Sequence, residues 1–297
     1  MTERLPKAIL LDMDDTILAD TVNAPRCWRV VCDRFAAEAP GLTPDRLMAE
    51  IERARDWYWS DPERHRRGRL SMARARQEVV GIALEALGVE QPDLARRIAQ
   101  DFTALREAAL RPFPGALETL RCLREQGVRL ALLTNGSGAD QRGKIERFCL
   151  APLFDCIVIE GEFGAGKPDE RVYRYACEQL GVTPAEAWMV GDHLDWEVAA
   201  PQRLGMFGVW VDNAGQGLPP SSPVRPDRII RSLEELLELT DCLVTDQEDL
   251  SDLTSLHKAA AEAARPYEEF LAESGRETHN LDAALAPALP AGNGADK

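Results

Sequence analysis

The chain opens on a near-continuous apolar run from Lys7 to Asp12 that ends in acid. That is the pattern of a strand buried on both faces of a parallel sheet. From about Asp20 to Leu110 the period changes. Residues 26–38, 44–59, 71–87 and 92–110 carry apolar side chains three and four positions apart, bounded by Pro or Gly, which predicts helices and no strand. Arg111-Pro112-Phe113-Pro114-Gly115 closes this stretch, because proline cannot continue a helix. Helix and strand then alternate: helices over 116–126, 139–149, 170–180 and 195–204, and strands over 128–133, 155–160, 187–190 and 208–211. A short strand over 228–230 and a helix over 233–239 follow. Gly127, Gly181 and Gly205 sit where helix C-caps fall. Repeated helix–strand units imply right-handed crossovers and a helix-covered parallel sheet. The predicted fold is α/β, a doubly wound, Rossmann-like parallel-sheet core with an inserted all-helical domain. Residues 1–18 and 112–240 form the core, 19–111 the insertion, and 241–297 an acidic, partly disordered extension with one amphipathic candidate at Leu250, Leu253 and Leu256.

Composition changes this picture little. The 297 residues are 45% apolar and 29% charged, enough for a sizeable core. No apolar run approaches the roughly 20 residues of a membrane span, so a membrane pump is excluded. The first residues lack the apolar segment and cleavage site of a signal peptide, and secretion is not expected. The net charge is −15, and 12 acidic against 4 basic residues fall after Thr240. Such a protein repels phosphate backbones and is not expected to bind nucleic acid. Seven cysteines without a C-x-x-C pair read as thiols of a reducing cytoplasm rather than disulfides or metal ligands.

The candidate chemistry lies at the carboxyl ends of the predicted strands, where open parallel sheets bind ligands. The first ends in Asp12-Met13-Asp14-Asp15-Thr16 and the second in Thr134-Asn135-Gly136. The third runs through a glycine-rich loop to Lys167-Pro168, and the fourth ends in Gly191-Asp192, with Asp195 and Glu197 beyond. Carboxylates brought together would repel and raise one another's pKa. Mg²⁺, which takes one or two protein carboxylates with waters and a phosphate oxygen, would relieve that. Lys167 and the Thr134 hydroxyl are suited to the remaining phosphate oxygens.

Asp12-Met13-Asp14-Asp15-Thr16 resembles the D-x-D-x-T signature of the haloacid dehalogenase-like (HAD) hydrolases. Thr134 after an apolar strand, Lys167-Pro168, and the segment from Gly191 to Glu197 resemble that superfamily's second, third and fourth motifs, in order. The resemblance spans residues 7 to about 212. It departs at the last acidic position, usually Asp and here Glu197. It implies Asp12 as a nucleophile that forms an aspartyl-phosphate and Asp14 as general acid and base. It implies Mg²⁺ held by Asp12, the backbone carbonyl of Asp14, and Asp192, with Glu197 and Asp195 in support. Thr134, Asn135 and Lys167 are the implied phosphate-binding groups. Placement of the insertion after the first motif resembles the subgroup whose helical cap closes over small phosphorylated metabolites.

The expected activity is therefore a Mg²⁺-dependent phosphatase for a small phosphomonoester. The alternatives are a metal-independent haloacid dehalogenase, a phosphosugar mutase and a non-catalytic binding protein. An Asp at position 14 counts against the dehalogenase. Asp15 and Thr16 are read as loop-forming, Thr16 by hydrogen bonding, and His193 as a surface or capping residue. Trp57-Tyr58-Trp59 before Arg64-His65-Arg66-Arg67-Gly68-Arg69 is either a pocket wall for an anionic substrate or core aromatics beside a solvated connection.

Overall fold

The computed structural model describes residues 5–239; the acidic extension, with Cys242 and the Leu250/Leu253/Leu256 spacing, lies outside the described residues. Strand β1 (Ala8–Leu11) leads into five helices: α1 (Ala24–Phe35), α2 (Pro44–Ser60), α3 (Pro62–Arg69), α4 (Met72–Ala86) and α5 (Pro92–Ala109). The alternating part follows as α6 (Ala116–Glu125), β2 (Arg129–Thr134), α7 (Gly138–Arg147), β3 (Cys156–Ile159), α8 (Glu160–Phe163), α9 (Glu170–Gln179) and β4 (Ala187–Gly191). A π-helical turn (Leu194–Ala199) runs into α10 (Ala200–Arg203), then β5 (Phe207–Val211), β6 (Arg228–Ile230) and a 3-10 segment (Leu233–Leu239).

The six strands form one sheet in the order β3-β2-β1-β4-β5-β6, every pairing parallel. The expected doubly wound α/β fold is thus observed. β1 shows why it closes. Ile9 and Leu11 pack with Leu120 and Leu123 of α6 and Ile145 of α7, whereas Ala8 and Leu10 pack with Val172, Tyr173 and Ala176 of α9. A strand fully buried on both faces must be apolar at every position, and these four residues are 0% exposed. With β2 on one side of β1 and β4 on the other, the winding reverses at β1, which opens a crevice at its carboxyl end.

Helices α1, α2, α4 and α5 enclose a separate apolar cluster, with the rings of Trp28 and Phe102 stacked 3.7 Å apart. The two passages between sheet and helices run side by side. Leu18 bridges Pro112, the Ala19 amide donates to the Arg111 carbonyl at 2.8 Å, and the Phe113 amide donates to the Ile17 carbonyl at 2.9 Å. Helix α3 adds to the sequence reading, which assigned no helix to residues 62–69 and gave the arginines as either a pocket wall or a solvated connection. Asp61 caps it by accepting from the Arg64 amide at 2.8 Å, with Pro62 at its first position; both are helix-starting devices. Among the described residues no helix is long and apolar enough to cross a membrane. The six described cysteines are free thiols, Cys149 exposed.

Candidate active site

Sheet pairing carries one residue past β1, the Asp12 amide donating to the Val190 carbonyl at 3.0 Å. This holds Asp12 at the mouth of the crevice. Lys167, wholly buried, places Nζ 2.5 Å from Asp12 Oδ1 and 2.8 Å from Glu197 Oε1. The other oxygen of Glu197 accepts from the His193 amide at 2.8 Å. Both of its oxygens are thus engaged, so Glu197 anchors the lysine and the following loop.

Gly191 makes room for that arrangement. A Cβ at this position would collide with Glu197 Cγ and lie 2.9 Å from Cδ. Glu197 is pinned at both oxygens and cannot swing aside. Gly191→Ala is therefore expected to cost about 1–3 kcal/mol, the range for overpacking a filled core, read as a lowered urea midpoint. A midpoint equal to wild type would show that Glu197 has freedom this packing denies it.

The charges do not balance. Burial, reinforced by Glu197 and Asp14, pushes the Asp12 carboxyl up to about 7 against the pull of Lys167. Burial, together with Asp12, Glu197 and Asp15, pushes Asp192 up to about 9. Burial also raises Glu197. Lys167 stays protonated: desolvation opposes its charge, but the facing Asp12 and Glu197 carboxylates raise its pKa. Three carboxyl groups thus share one ammonium. The Asp192 side chain has no hydrogen-bond or ion-pair partner among the described residues, while its carbonyl accepts from Trp210 Nε1 at 2.7 Å. A pair of hard carboxylate oxygens with surplus negative charge fits Mg²⁺. Among the described residues no group of three or more acidic, His or Cys side chains is placed to hold a metal ion.

Asp14 faces a different environment. Burial alone would raise its pKa, but Lys144 Nζ, 2.7 Å from Oδ1, and Gln141 Nε2, 2.9 Å from Oδ2, hold the carboxyl below its usual range. Gln141 also lies 2.5 Å from the Thr134 hydroxyl oxygen. With that oxygen accepting, the Thr134 proton is left to donate to a ligand. Lys144 and Gln141 were not read from the sequence. Their signal was the helix that starts at the Ser137 N-cap, where positions three apart share a face.

Three expectations meet a different arrangement. The Asn135 side chain, in the cavity lining, is engaged with Lys167: Nδ2 donates to the Lys167 carbonyl at 2.8 Å, and Oδ1 accepts from the Lys167 amide at 2.8 Å. It positions the lysine. Asp195 is exposed and is not among the residues that line the cavity. Asp15 shapes its loop, accepting from the Asp20 and Thr21 amides at 3.0 and 2.8 Å with φ of 59°. The Thr16 hydroxyl, expected to bond within the loop, is buried without a partner.

A cavity of about 740 Å³ lies over these groups, walled on its far side by residues of α2, α3, α4 and α5. Arg69 of α3 forms a two-pronged ion pair with Glu160 of α8, at 2.6 and 2.7 Å, and ties the helical wall to the sheet. The aromatic–basic cluster divides accordingly. Trp59, His65 and Arg69 line the cavity, Tyr58 is core, and Arg64 stacks 3.8 Å over the exposed Trp57 ring. Arg66 and Arg67 face solvent.

Carboxylates, a buried lysine and a threonine gathered at the switch point of a parallel sheet define a hydrolase site of the kind the motifs suggested. A family model described as haloacid dehalogenase-like hydrolase matches residues 6–205, and the chain belongs to that family. It is 34% identical over 252 residues to a phosphoserine phosphatase of Thermus thermophilus, covering 77% of this chain and 97% of that one. It is 30% identical over 207 residues to a glyceraldehyde 3-phosphate phosphatase of Methanopyrus kandleri, covering 68% and 82%. Its fold is similar to the crystal structure of a HAD-hydrolase from Bacillus subtilis, with TM-score 0.61 and 21% identity over 80% of this chain and all of that one. The protein is a hydrolase of phosphoric monoesters.

Proposed function

We propose that the protein hydrolyses a small-molecule phosphomonoester through phosphorylation of Asp12, with Mg²⁺ as resident cation. The observation that carries the reading is the buried cluster of Asp12 and Glu197 on the ammonium of Lys167, with Asp192 beside it, at the floor of the cavity. Asp12, the Asp14 carbonyl and Asp192 would hold the ion, which when bound offsets negative charge on the carboxylates and the phosphoryl group. Asp12, through the oxygen that Lys167 leaves free, forms a bond to phosphorus as the bond to the alcohol oxygen breaks. Asp14, ionised in the free site, takes a proton from the bound monoanionic phosphoryl group and gives it to that oxygen. Water then attacks phosphorus, Asp14 takes its proton, and phosphate departs with the Asp12 carboxylate restored. Lys167 and the Thr134 hydroxyl steady the phosphoryl oxygens throughout. Residues 19–111 act as a cap on a core of 1–18 and 112–240, shutting out bulk water once a small substrate is inside.

Phosphate release from a panel of phosphomonoesters tests the reading. Mg²⁺ is expected to support turnover, EDTA to abolish it and Ca²⁺ to fail as replacement, because its longer bonds and higher coordination misplace the nucleophile. Full activity in EDTA, or chloride release from a haloacid in its place, would overturn it. Stability gives a second readout. Asp12 and Asp192, raised to about 7 and about 9, keep protons in the folded state that the unfolded chain has lost above about pH 4. In EDTA the melting temperature should therefore fall as pH rises from about 4 to about 9, and Mg²⁺ should restore it.

A further inference from the structure

The helical wall of the cavity holds two guanidinium groups that form no ion pair with a protein carboxylate among the described residues, although Asp56 and Glu52 lie within the field of Arg55. Arg76 of α4 and Arg55 of α2 both line it. Neither forms an ion pair, and Arg55 makes no hydrogen bond among the described residues. Arg76 Nη1 donates to the Thr103 hydroxyl at 2.9 Å, and Thr103 passes its own proton to the Ala99 carbonyl at 2.8 Å. The Arg76 guanidinium lies 5.5 Å over the Phe102 ring, and its Nε is shut in without an acceptor. Four other cations along the same cavity face carboxylates: Arg69 with Glu160, Arg106 with Asp20, Lys144 with Asp14 and Lys167 with Asp12; Arg147, on α7 and not on the helical wall, has the Glu107 carbonyl and a buried Nε without a partner.

A partly buried cation that forms no ion pair gives up hydration without full compensation, which costs stability. Burial, and then the neighbouring Arg106, weakens the hold of both groups on their protons, bringing Arg76 down to about 10. A fold keeps such a pair where a ligand supplies the missing anion. We propose that Arg55 and Arg76 form a second anion subsite, and that the substrate is a phosphomonoester bearing a carboxylate at its other end. The phosphoryl end already has Lys167 and Thr134 on the sheet side of the cavity, whereas these arginines come from the helices opposite. Asp20, Glu107 and Asp140 lie within the field of Arg76, and would oppose a dianion more than a monoanion, which favours carboxylate over a second phosphate. Guanidinium geometry suits carboxylate recognition. The inference deepens the phosphatase reading and rests on it for the orientation of the ligand.

The test compares 3-phosphoglycerate with glycerol 3-phosphate, which carries a hydroxymethyl group in place of the carboxylate. Binding of each to the wild-type protein is measured by calorimetry in EDTA, where the phosphoryl end contributes equally and cancels in the ratio. The carboxylate ligand is expected to bind about 10- to 100-fold more tightly, the weight of one charge-assisted hydrogen-bonded pair. In Arg55→Met and in Arg76→Met the ratio should fall toward one, while Arg76→Lys retains part of it. Melting temperatures of the methionine variants should hold or rise, since a partly buried charge without an ion pair is removed; a purely structural arginine would lower them and leave the ratio unmoved. Equal binding of the two ligands by wild type, or an unchanged ratio in both methionine variants, would overturn the subsite. Phosphate release with Mg²⁺ on the same pair reports separately on the reaction. Tight carboxylate-dependent binding without release would sink the phosphatase reading and keep the subsite, and release with equal affinities would do the reverse.

Discussion

Asp12→Asn is expected to reduce phosphate release by at least about 10³-fold, in line with the loss of a nucleophile from a group that acts as a unit, while leaving the protein folded. The side chain keeps its shape and an oxygen that can accept from Lys167, whose Nζ lies 2.5 Å from Asp12 Oδ1. Burial pushes the Asp12 carboxyl up to about 7, so a neutral amide also removes a charge the fold disfavours. Stability should hold, and the urea midpoint measures that. What the amide lacks is nucleophilicity and a negative oxygen for the cation. Intact mass after mixing with substrate should show no phosphorylated variant, whereas wild type passes through that species. Phosphate release at the wild-type rate from a folded Asp12→Asn protein would remove Asp12 from the reaction.

Asp14→Asn should slow an alkyl phosphomonoester about 10²–10⁴-fold, the usual reach of general acid–base assistance. It should slow phosphorylation by para-nitrophenyl phosphate far less, because an acidic phenol leaves unaided. The structure sharpens this expectation. Lys144 at 2.7 Å and Gln141 at 2.9 Å hold Asp14 ionised, ready to take a proton from water. The water step therefore bears the larger defect, and the variant should accumulate phosphorylated Asp12, seen as a burst of nitrophenol and as added mass. Equal slowing of Asp12 phosphorylation by both substrates, without accumulation, would mean that Asp14 serves the metal site alone.

Some of this was unreadable along the chain for definite reasons. Helix α3, Pro-Glu-Arg-His-Arg-Arg-Gly-Arg, has no apolar stripe, so periodicity cannot reveal it; only Asp61 and Pro62 announce its start. Asn135 stands beside Thr134 at a strand end and reads as a ligand. Whether its amide turns to phosphate or to the backbone of Lys167 depends on a loop 32 positions further on. Lys144 pairs with Asp14 across 130 positions and Arg69 with Glu160 across 91. No local pattern encodes those distances.

What the sequence by itself determined is the order of the elements and the chemistry at the strand ends. Period-two and unbroken apolar runs bury only as strands, and three-and-four spacing buries only as helix. Asp12, Thr134 and Asp192 fall at strand ends because the apolar runs stop there, and Lys167 follows in the loop past α8. Tertiary structure decided the pairings and hence the state of each group. Winding outward from β1 in both directions set Asp12, Lys167 and Glu197 into one buried cluster while leaving Asp195 in solvent. Closing α2 and α4 over the crevice placed Arg55 and Arg76 in the same cavity. The physical reason is that periodicity records which face of an element is buried, a property of neighbours in the chain. Proton affinity and ligand preference depend on which charges meet across the fold, and at what distance.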